Sequence, residues 1–275
     1  MLYDLQIIFA VARLAITLGF LLYSSWSDYK TREVSNRVWA FFAPIAIILS
    51  LTELILYDSS QLSLYGISVG VTVGFAFLLF YTGAFGGADS KAFMCIAFAL
   101  PFFPSIIITP LLSEGLSPLS QMVFPITILS NSVLVAALSS IYLFTRNLVK
   151  RSTSGQPLFE GTLSNESTGK KILVLITGKK FPLEVLKEKW HIYPMEDIEE
   201  TEDENQVKRK LVIVPKEEER DQILSRLTKA SQIGKINAKV WATPGLPMLI
   251  FVTIGLILAL IVGDIIWILI TNIVR

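Results

Sequence analysis

The sequence predicts a mainly α, polytopic membrane protein with about six transmembrane helices and a small α/β cytoplasmic domain between the fifth and sixth. Three observations carry this. Of the 275 residues, 52% are hydrophobic and only 17% charged, against about 25% charged in an ordinary soluble domain. The apolar residues gather into runs of about 20, the length that crosses a hydrocarbon core about 30 Å thick. Those runs lack the alternating polar face that a soluble core helix keeps, and a polar stretch at 146–240 separates the last from the others.

The runs place spans at roughly Asp4–Ser27, Val38–Tyr57, Leu64–Tyr81, Asp89–Phe103, Met122–Tyr142 and Pro247–Val274. The first opens on Met1-Leu2-Tyr3-Asp4, with no basic residue and no small-residue cleavage site, so it is expected to stay as a helix rather than leave as a signal peptide. The fourth is short and meets Pro101 and Pro104, which predicts a bend or an early stop. This divides the chain into a membrane domain at 1–145, a soluble domain at 146–240 and a final transmembrane helix at 241–275.

Lysine and arginine counts orient the spans. One set of loops holds Lys30, Arg32, Arg37, Lys91, Arg146, Lys150 and Arg151, while the opposite set, 58–63 and 104–121, holds none. Basic loops face the cytoplasm, which puts the polar domain inside and both chain ends outside. In that domain Ile172–Thr177 and Leu211–Val214, rich in β-branched residues, are expected to be strands. Pro182–Trp190 and Glu217–Ser231 have helical spacing, with Pro182 expected in a first turn where its missing N–H costs nothing. The acidic run Glu196, Asp197, Glu199, Glu200, Glu202, Asp203 and Glu204 reads as a solvated loop, or else as a patch that attracts a basic partner.

Composition narrows the chemistry. A net charge of +1 gives no reason to expect a nucleic-acid partner. Cys95 is the only cysteine, so neither an internal disulfide nor a cysteine zinc cluster is expected. His191 is the only histidine, which leaves a Ser-His-Asp triad or a histidine-rich metal site poorly supplied. Charges inside spans are suspects for function. Arg13 and Asp264 lie deep in the first and last spans and are expected to neutralise each other, whereas Glu53 is close enough to the outer end of its span to reach water.

Two acids remain. Asp28, in Trp26-Ser27-Asp28-Tyr29-Lys30, closes the first span, and Asp89 follows the glycine-rich turn Gly83-Ala84-Phe85-Gly86-Gly87-Ala88. Each has a lysine two residues on, Lys30 and Lys91. Taken singly each reads as an ordinary helix-end acid. Together, at one depth, they read as a catalytic pair. Two carboxylates brought close cannot both ionise, so one remains an acid while the other acts as a base. Glycines 83, 86 and 87 would let a substrate backbone approach and let the chain bend.

At these residues the chain resembles a known family. Gly86-Gly87-Ala88-Asp89 with Lys91 is similar to the Gly-x-Gly-Asp signature of membrane aspartic proteases, which include presenilin and the type IV prepilin peptidases. Asp28 followed by Val34-Ser35-Asn36 resembles the first catalytic motif of the prepilin peptidases, and Trp241–Pro247 resembles the segment before the final helix of the archaeal preflagellin peptidases. Ala88 departs from the stricter glycine signature, which distances the chain from presenilin. The resemblance implies an aspartic endopeptidase that removes a short basic leader from archaellin or pilin-like precursors at the cytoplasmic membrane edge. It implies Asp28 and Asp89 as the catalytic pair, with Gly86, Gly87, Lys30 and Lys91 as motif residues near the substrate, and no cofactor or metal. The alternatives are a presenilin-like protease cutting deeper in the bilayer and, from another class, a transporter using Arg13, Asp28, Asp89 and Asp264 as a charge relay.

Overall fold

The computed structural model describes residues 2–155, 157–199, 208–213, 219–245 and 247–274. Two compact units emerge, Met1–Ala136 with Pro247–Arg275, and Ala137–Leu246.

The first unit is helical: α1 (Leu2–Thr31), α2 (Asn36–Tyr57), α3 (Leu62–Tyr81), α4 (Gly87–Ala99), the short α5 (Pro118–Met122), the start of α6 (Phe124–Ser154), α10 (Met248–Ile261) and α11 (Ile265–Val274). Among the described residues, α1, α2, α3 and α6 are long and apolar enough to cross a membrane. A fifth crossing is reached if α10 and α11, bent by 55° at their junction, count as one span. The protein is thus mainly helical, with four to five candidate spans where the apolar runs predict six.

The difference comes from α4, whose 13 residues reach only about 20 Å at 1.5 Å per residue. Pro101 and Pro104 lack the N–H groups that the carbonyls of Ala97 and Leu100 would take, so the helix stops. Neighbouring helices satisfy other carbonyls at its end. Arg13 on α1 donates to the Ala99 carbonyl at 2.9 Å, Ser50 on α2 to that of Phe98 at 2.7 Å, and Ser68 on α3 to that of Pro101 at 2.9 Å. A helix end can sit at membrane depth only with such donors.

α4 packs against α1, α2, α3 and α10, and Ala92, Phe93, Cys95, Ile96, Ala97 and Ala99 are all buried. Lipid is as apolar as leucine, so close backbone approach rather than water release holds such helices together. The small residues Ala46, Ala76, Ala92 and Ala259 in this packing serve that approach. Gly255 goes further: a Cβ there would lie 2.6 Å from the Ile128 carbonyl oxygen of α6.

The break between α10 and α11 is built from polar groups. Gly263 has φ +95° and lies directly against Gly115, whose carbonyl accepts from the Asp264 N–H at 2.9 Å. The Asp264 carboxylate caps α11 by accepting from the Trp267 N–H at 3.1 Å, and it takes the Ser117 hydroxyl at 2.7 Å. Asn131 donates to the Gly263 carbonyl and accepts from the Ile265 N–H. The expected Arg13–Asp264 pair is therefore incorrect. Arg13, partly exposed, instead meets the buried Glu53 at 2.7 Å, so Glu53 is held in an ion pair rather than left to water.

The second unit contains the end of α6 followed by α7 (Thr168–Thr177), β1 (Lys179–Pro182), α8 (Leu183–Glu188), β2 (Tyr193–Pro194), β3 (Glu196–Glu199), β4 (Lys208–Leu211), α9 (Arg220–Gln232) and β5 (Lys239–Thr243). The strands form an antiparallel sheet in the order β1-β5-β2 and a separate β3-β4 pair. Leu183, Leu186, Ile223, Leu227 and Val240 form one core, and Leu163, Val174, Met195, Leu211 and Trp241 another.

Two local expectations need correction here. Residues 172–177 are helical, because Ser167 caps the segment by accepting from the Lys170 N–H and burial falls on Val174 and Leu175 while Ile172 and Leu173 stay exposed. A cap and one packed face outweigh β-branched propensity. The strand expected at Leu211–Val214 lies earlier, since β4 runs Lys208–Leu211 and Val212 and Ile213 follow it outside any strand; Val214 lies outside the described residues. The helix expected at 217–231 forms from Arg220, with Glu217 outside the described residues, and Pro182 precedes α8 as its N-cap.

The acidic run is neither a solvated loop nor an open patch at its first three acids. Glu196 pairs with Arg209, Asp197 with Arg226 at 2.9 Å, and Glu199 with Lys208 at 2.8 Å. β3 is acidic because β4, opposite it, is basic, and cross-strand opposite charges stabilise the pair. Glu200, Glu202, Asp203 and Glu204 lie outside the described residues.

Candidate active site

Asp28 sits one turn before the end of α1. Its carbonyl accepts from the Arg32 N–H at 3.0 Å, and Arg32 then turns the chain with φ 58°, a left-handed conformation that ends helices and is uncommon outside glycine. Hydroxyls fix the turn: Ser27 donates to the Glu33 carbonyl at 2.7 Å, and Thr31 donates to the same oxygen at 3.0 Å. Ser35 caps α2 by accepting from the Arg37 N–H, leaving Asn36 as the first residue of that helix. The same face of α1 is held on α10, where Ser25, one turn before Asp28, donates to the Leu249 carbonyl at 2.9 Å. Asp28 itself lies by the amide of Leu249.

Asp89 enters from the other side. Gly83 has φ +74°, and the Ala84 and Phe85 N–H groups both return to the Leu79 carbonyl, closing α3 tightly. The chain then starts α4 at Gly87, and the Asp89 Oδ2 accepts from the Gly86 N–H at 3.0 Å. A Cβ on Gly86 would meet that same oxygen at 3.1 Å, so glycine there leaves the carboxylate room to cap the helix. Gly87 is less demanding, since a Cβ would lie 3.8 Å from the Phe80 ring.

The two acidic segments are joined by a direct link. The Lys91 Nζ donates to the Asn36 Oδ1 at 2.7 Å, tying the start of α4 to the start of α2. α1 and α4 are in contact, and the Asp28 and Asp89 carboxylates lie within reach of each other's charge. Among the described residues no hydrogen bond joins them, and the Asp28 Oδ2 is buried without a partner. The hydroxyls of Ser24, one turn before Asp28, and Ser90, beside Asp89, are also buried and unpartnered.

Of the motif residues named from sequence, Asp28, Asp89, Gly86, Gly87 and Lys91 gather in this region. Lys30 does not join them; its ammonium lies 4.6 Å from the centre of the Trp26 ring. Asn36 was legible only as part of a motif. Its partner could not be read from sequence, because Lys91 is 55 residues away. Among the described residues, no three or more His, Cys, Asp or Glu cluster in a way that could hold a metal ion.

These features define a helical membrane protein with a polar, acidic site where two helix ends meet, and the comparisons identify it as a leader-peptide-processing protease. Residues 15–144 match the type IV leader peptidase family, and residues 170–265 match the archaeal peptidase A24 C-terminus, type II. Together the two matches take in most of the chain. It is 23% identical to the preflagellin peptidase of Methanococcus maripaludis over 253 residues, covering 89% of this chain and 92% of that one. It is 26% identical to the preflagellin peptidase of Methanocaldococcus jannaschii, covering 89% and 91%. With that of Methanococcus voltae it shares 31% identity over 140 residues, 49% of this chain and 57% of that one.

Proposed function

We propose that the protein is an aspartic endopeptidase that removes the short basic leader from archaellin or type IV pilin-like precursors, using Asp28 and Asp89 as the catalytic pair. The observation that carries this reading is the 2.7 Å bond from Lys91 to Asn36, which couples the two aspartate segments and keeps both acids at the same helix junction. The relatives named preflagellin peptidase, aligned over nearly their full length, supply the precursor class.

In the proposed reaction one carboxylate removes a proton from water attacking the scissile carbonyl. The other, protonated, donates to the developing oxyanion. The two titrate as one unit, so neither role belongs to one residue. The unpartnered Asp28 Oδ2 leaves the pair an oxygen free to meet the water or the oxyanion. The missing direct bond between the carboxylates fits a resting state that substrate and water complete, since catalytic hydrogen bonds tighten in the working complex. The lysine and arginine distribution supports six passes, counting α4 and the bent α10–α11 pair, with the site and the soluble unit on the cytoplasmic side and both ends outside.

Asp28→Asn and Asp89→Asn, tested in membranes against a precursor with a short basic leader, are expected each to abolish leader removal while insertion and expression stay at wild-type levels. Processing by either variant would remove the pair from the mechanism.

A further inference from the structure

Five cations from two elements far apart in sequence converge on one small cavity of the second unit. Arg146, Lys150 and Arg151 come from the end of α6, Lys179 and Lys180 from β1, and Pro157 helps to close a space of about 70 Å³. That exceeds several-fold what one water molecule requires. A buried asparagine makes the convergence: Asn147 donates to the carbonyls of Leu175 and Gly178, both at 2.9 Å. This pins the start of β1 beside α6. Lysines in a cytoplasmic loop would satisfy the orientation rule without meeting each other; here the fold holds them together.

The charge is only partly neutralised within the protein. Lys180 pairs with Glu160 at 2.9 Å. Among the described residues no carboxylate pairs with Arg146, Arg151 or Lys179, and the charges facing Lys179 are those of Arg146, Lys189 and Lys150. Burial and these like charges push the Lys179 ammonium below the usual lysine range. Such an arrangement is stabilised by an anion.

The position selects the anion. Arg146 lies 22 residues into α6, about 33 Å along the helix at 1.5 Å per residue, just beyond a hydrocarbon core of about 30 Å. The same helix carries exposed Ile141, Tyr142, Leu148 and Val149. Leu148 also lines, with Arg151, Ser152, Gly155 and Pro157, a second cavity of about 450 Å³. Cations beside exposed apolar side chains at a helix exit match a molecule with a phosphate at one end and a hydrocarbon chain at the other.

We propose that this cavity is a phosphate-anion site that holds the headgroup of an anionic phospholipid, with Arg146, Arg151 and Lys179 as its ligands. It is independent of the proteolytic site and of the reading given for it.

The test uses the full chain in nanodiscs of phosphatidylcholine with or without phosphatidylglycerol, released and weighed by native mass spectrometry to count retained lipid. Wild type is expected to retain phosphatidylglycerol preferentially. Arg146→Gln, Arg151→Gln and Lys179→Gln should each lower that retention about fivefold, and the three together on the order of a hundredfold, at about one unit of surface attraction per cation. Arg151→Lys should keep it. Melting temperatures in pure phosphatidylcholine, equal to wild type, show that the variants are folded. Equal phosphatidylglycerol retention by wild type and folded variants would overturn the site. Inorganic phosphate that raises the melting temperature of the lipid-free protein only with the three cations intact, while wild type shows no preference for phosphatidylglycerol, would overturn the assignment to lipid.

Discussion

The Arg13–Glu53 pair offers the sharpest test of how this helical unit is held. The two side chains are 13% and 9% exposed and meet at 2.7 Å, and Arg13 also donates to the Ala99 carbonyl at 2.9 Å. Arg13→Met would leave a buried carboxylate uncompensated, which costs about 3–5 kcal/mol. The Ala99 carbonyl would keep a weaker donor, the Ser50 hydroxyl at 3.4 Å, so its loss adds about 1 kcal/mol. A total near 5 kcal/mol lowers the melting temperature by about 10–20 °C for a unit of this size. Glu53→Leu should cost a similar amount by stranding the guanidinium. The double variant removes both charges and should recover most of the loss, leaving a coupling energy of about 2–3 kcal/mol in a double-mutant cycle. Arg13 lies 15 residues before Asp28 on the same helix, about 22 Å away, so the double variant should process precursor at the wild-type rate. The assay is thermal unfolding in one detergent, paired with precursor cleavage. Losses that simply add, to within about 0.5 kcal/mol, would refute the pairing.

Other outcomes follow from particular contacts. Lys91→Met removes the link to Asn36 and should lower precursor cleavage at least tenfold with little change in melting temperature, because the pair is exposed and such bonds add only about 1 kcal/mol or less to stability; unchanged cleavage would mean that the link does not position the site. Gly263→Ala forces a side chain into a left-handed turn lying against Gly115, and unfolding should show a loss of about 2 kcal/mol or more. In the second unit the Lys180 ammonium beside Glu160 holds its carboxyl below the usual range. A carboxyl with a depressed folded-state pKa contributes stability above its unfolded value, about 4.3, and loses it as the pH falls through the folded value. Protection of the β1 amides, taken relative to their intrinsic exchange rates, should therefore fall as the pH drops below that point, and Glu160→Gln should flatten the response.

The long elements were legible in the sequence because apolar run length is a direct report of bilayer thickness. α1, α2 and α3 fall within a few residues of expectation, and Pro101 and Pro104 marked the early stop of α4. Side-chain partners were less legible. Arg13 and Glu53 sit at depths differing by about 7 Å when counted along their helices, and two long side chains close that gap, which depth alone does not indicate. Asp264 looked like a charge deep in a span that Arg13 would neutralise, because the break it caps lies inside one long apolar run; Gly263 beside it was the readable sign. Residues 172–177 misled because their composition favours a strand, while the deciding cap, Ser167, lies outside the run. For the site, both aspartates and the glycine turn stood out by motif and depth, whereas the Asn36 partner of Lys91 depends on how α2 and α4 begin side by side.

The bond from the Gly86 amide to Asp89 also decides which substitutions can be interpreted. One oxygen of that side chain starts α4, so alanine at 89 would fray the helix on which Lys91 and the small packing residues ride. A dead alanine variant would then say nothing about proton transfer. Asparagine keeps an acceptor for the amide while giving up the exchangeable acid, so only it separates the chemistry from the scaffold that presents it.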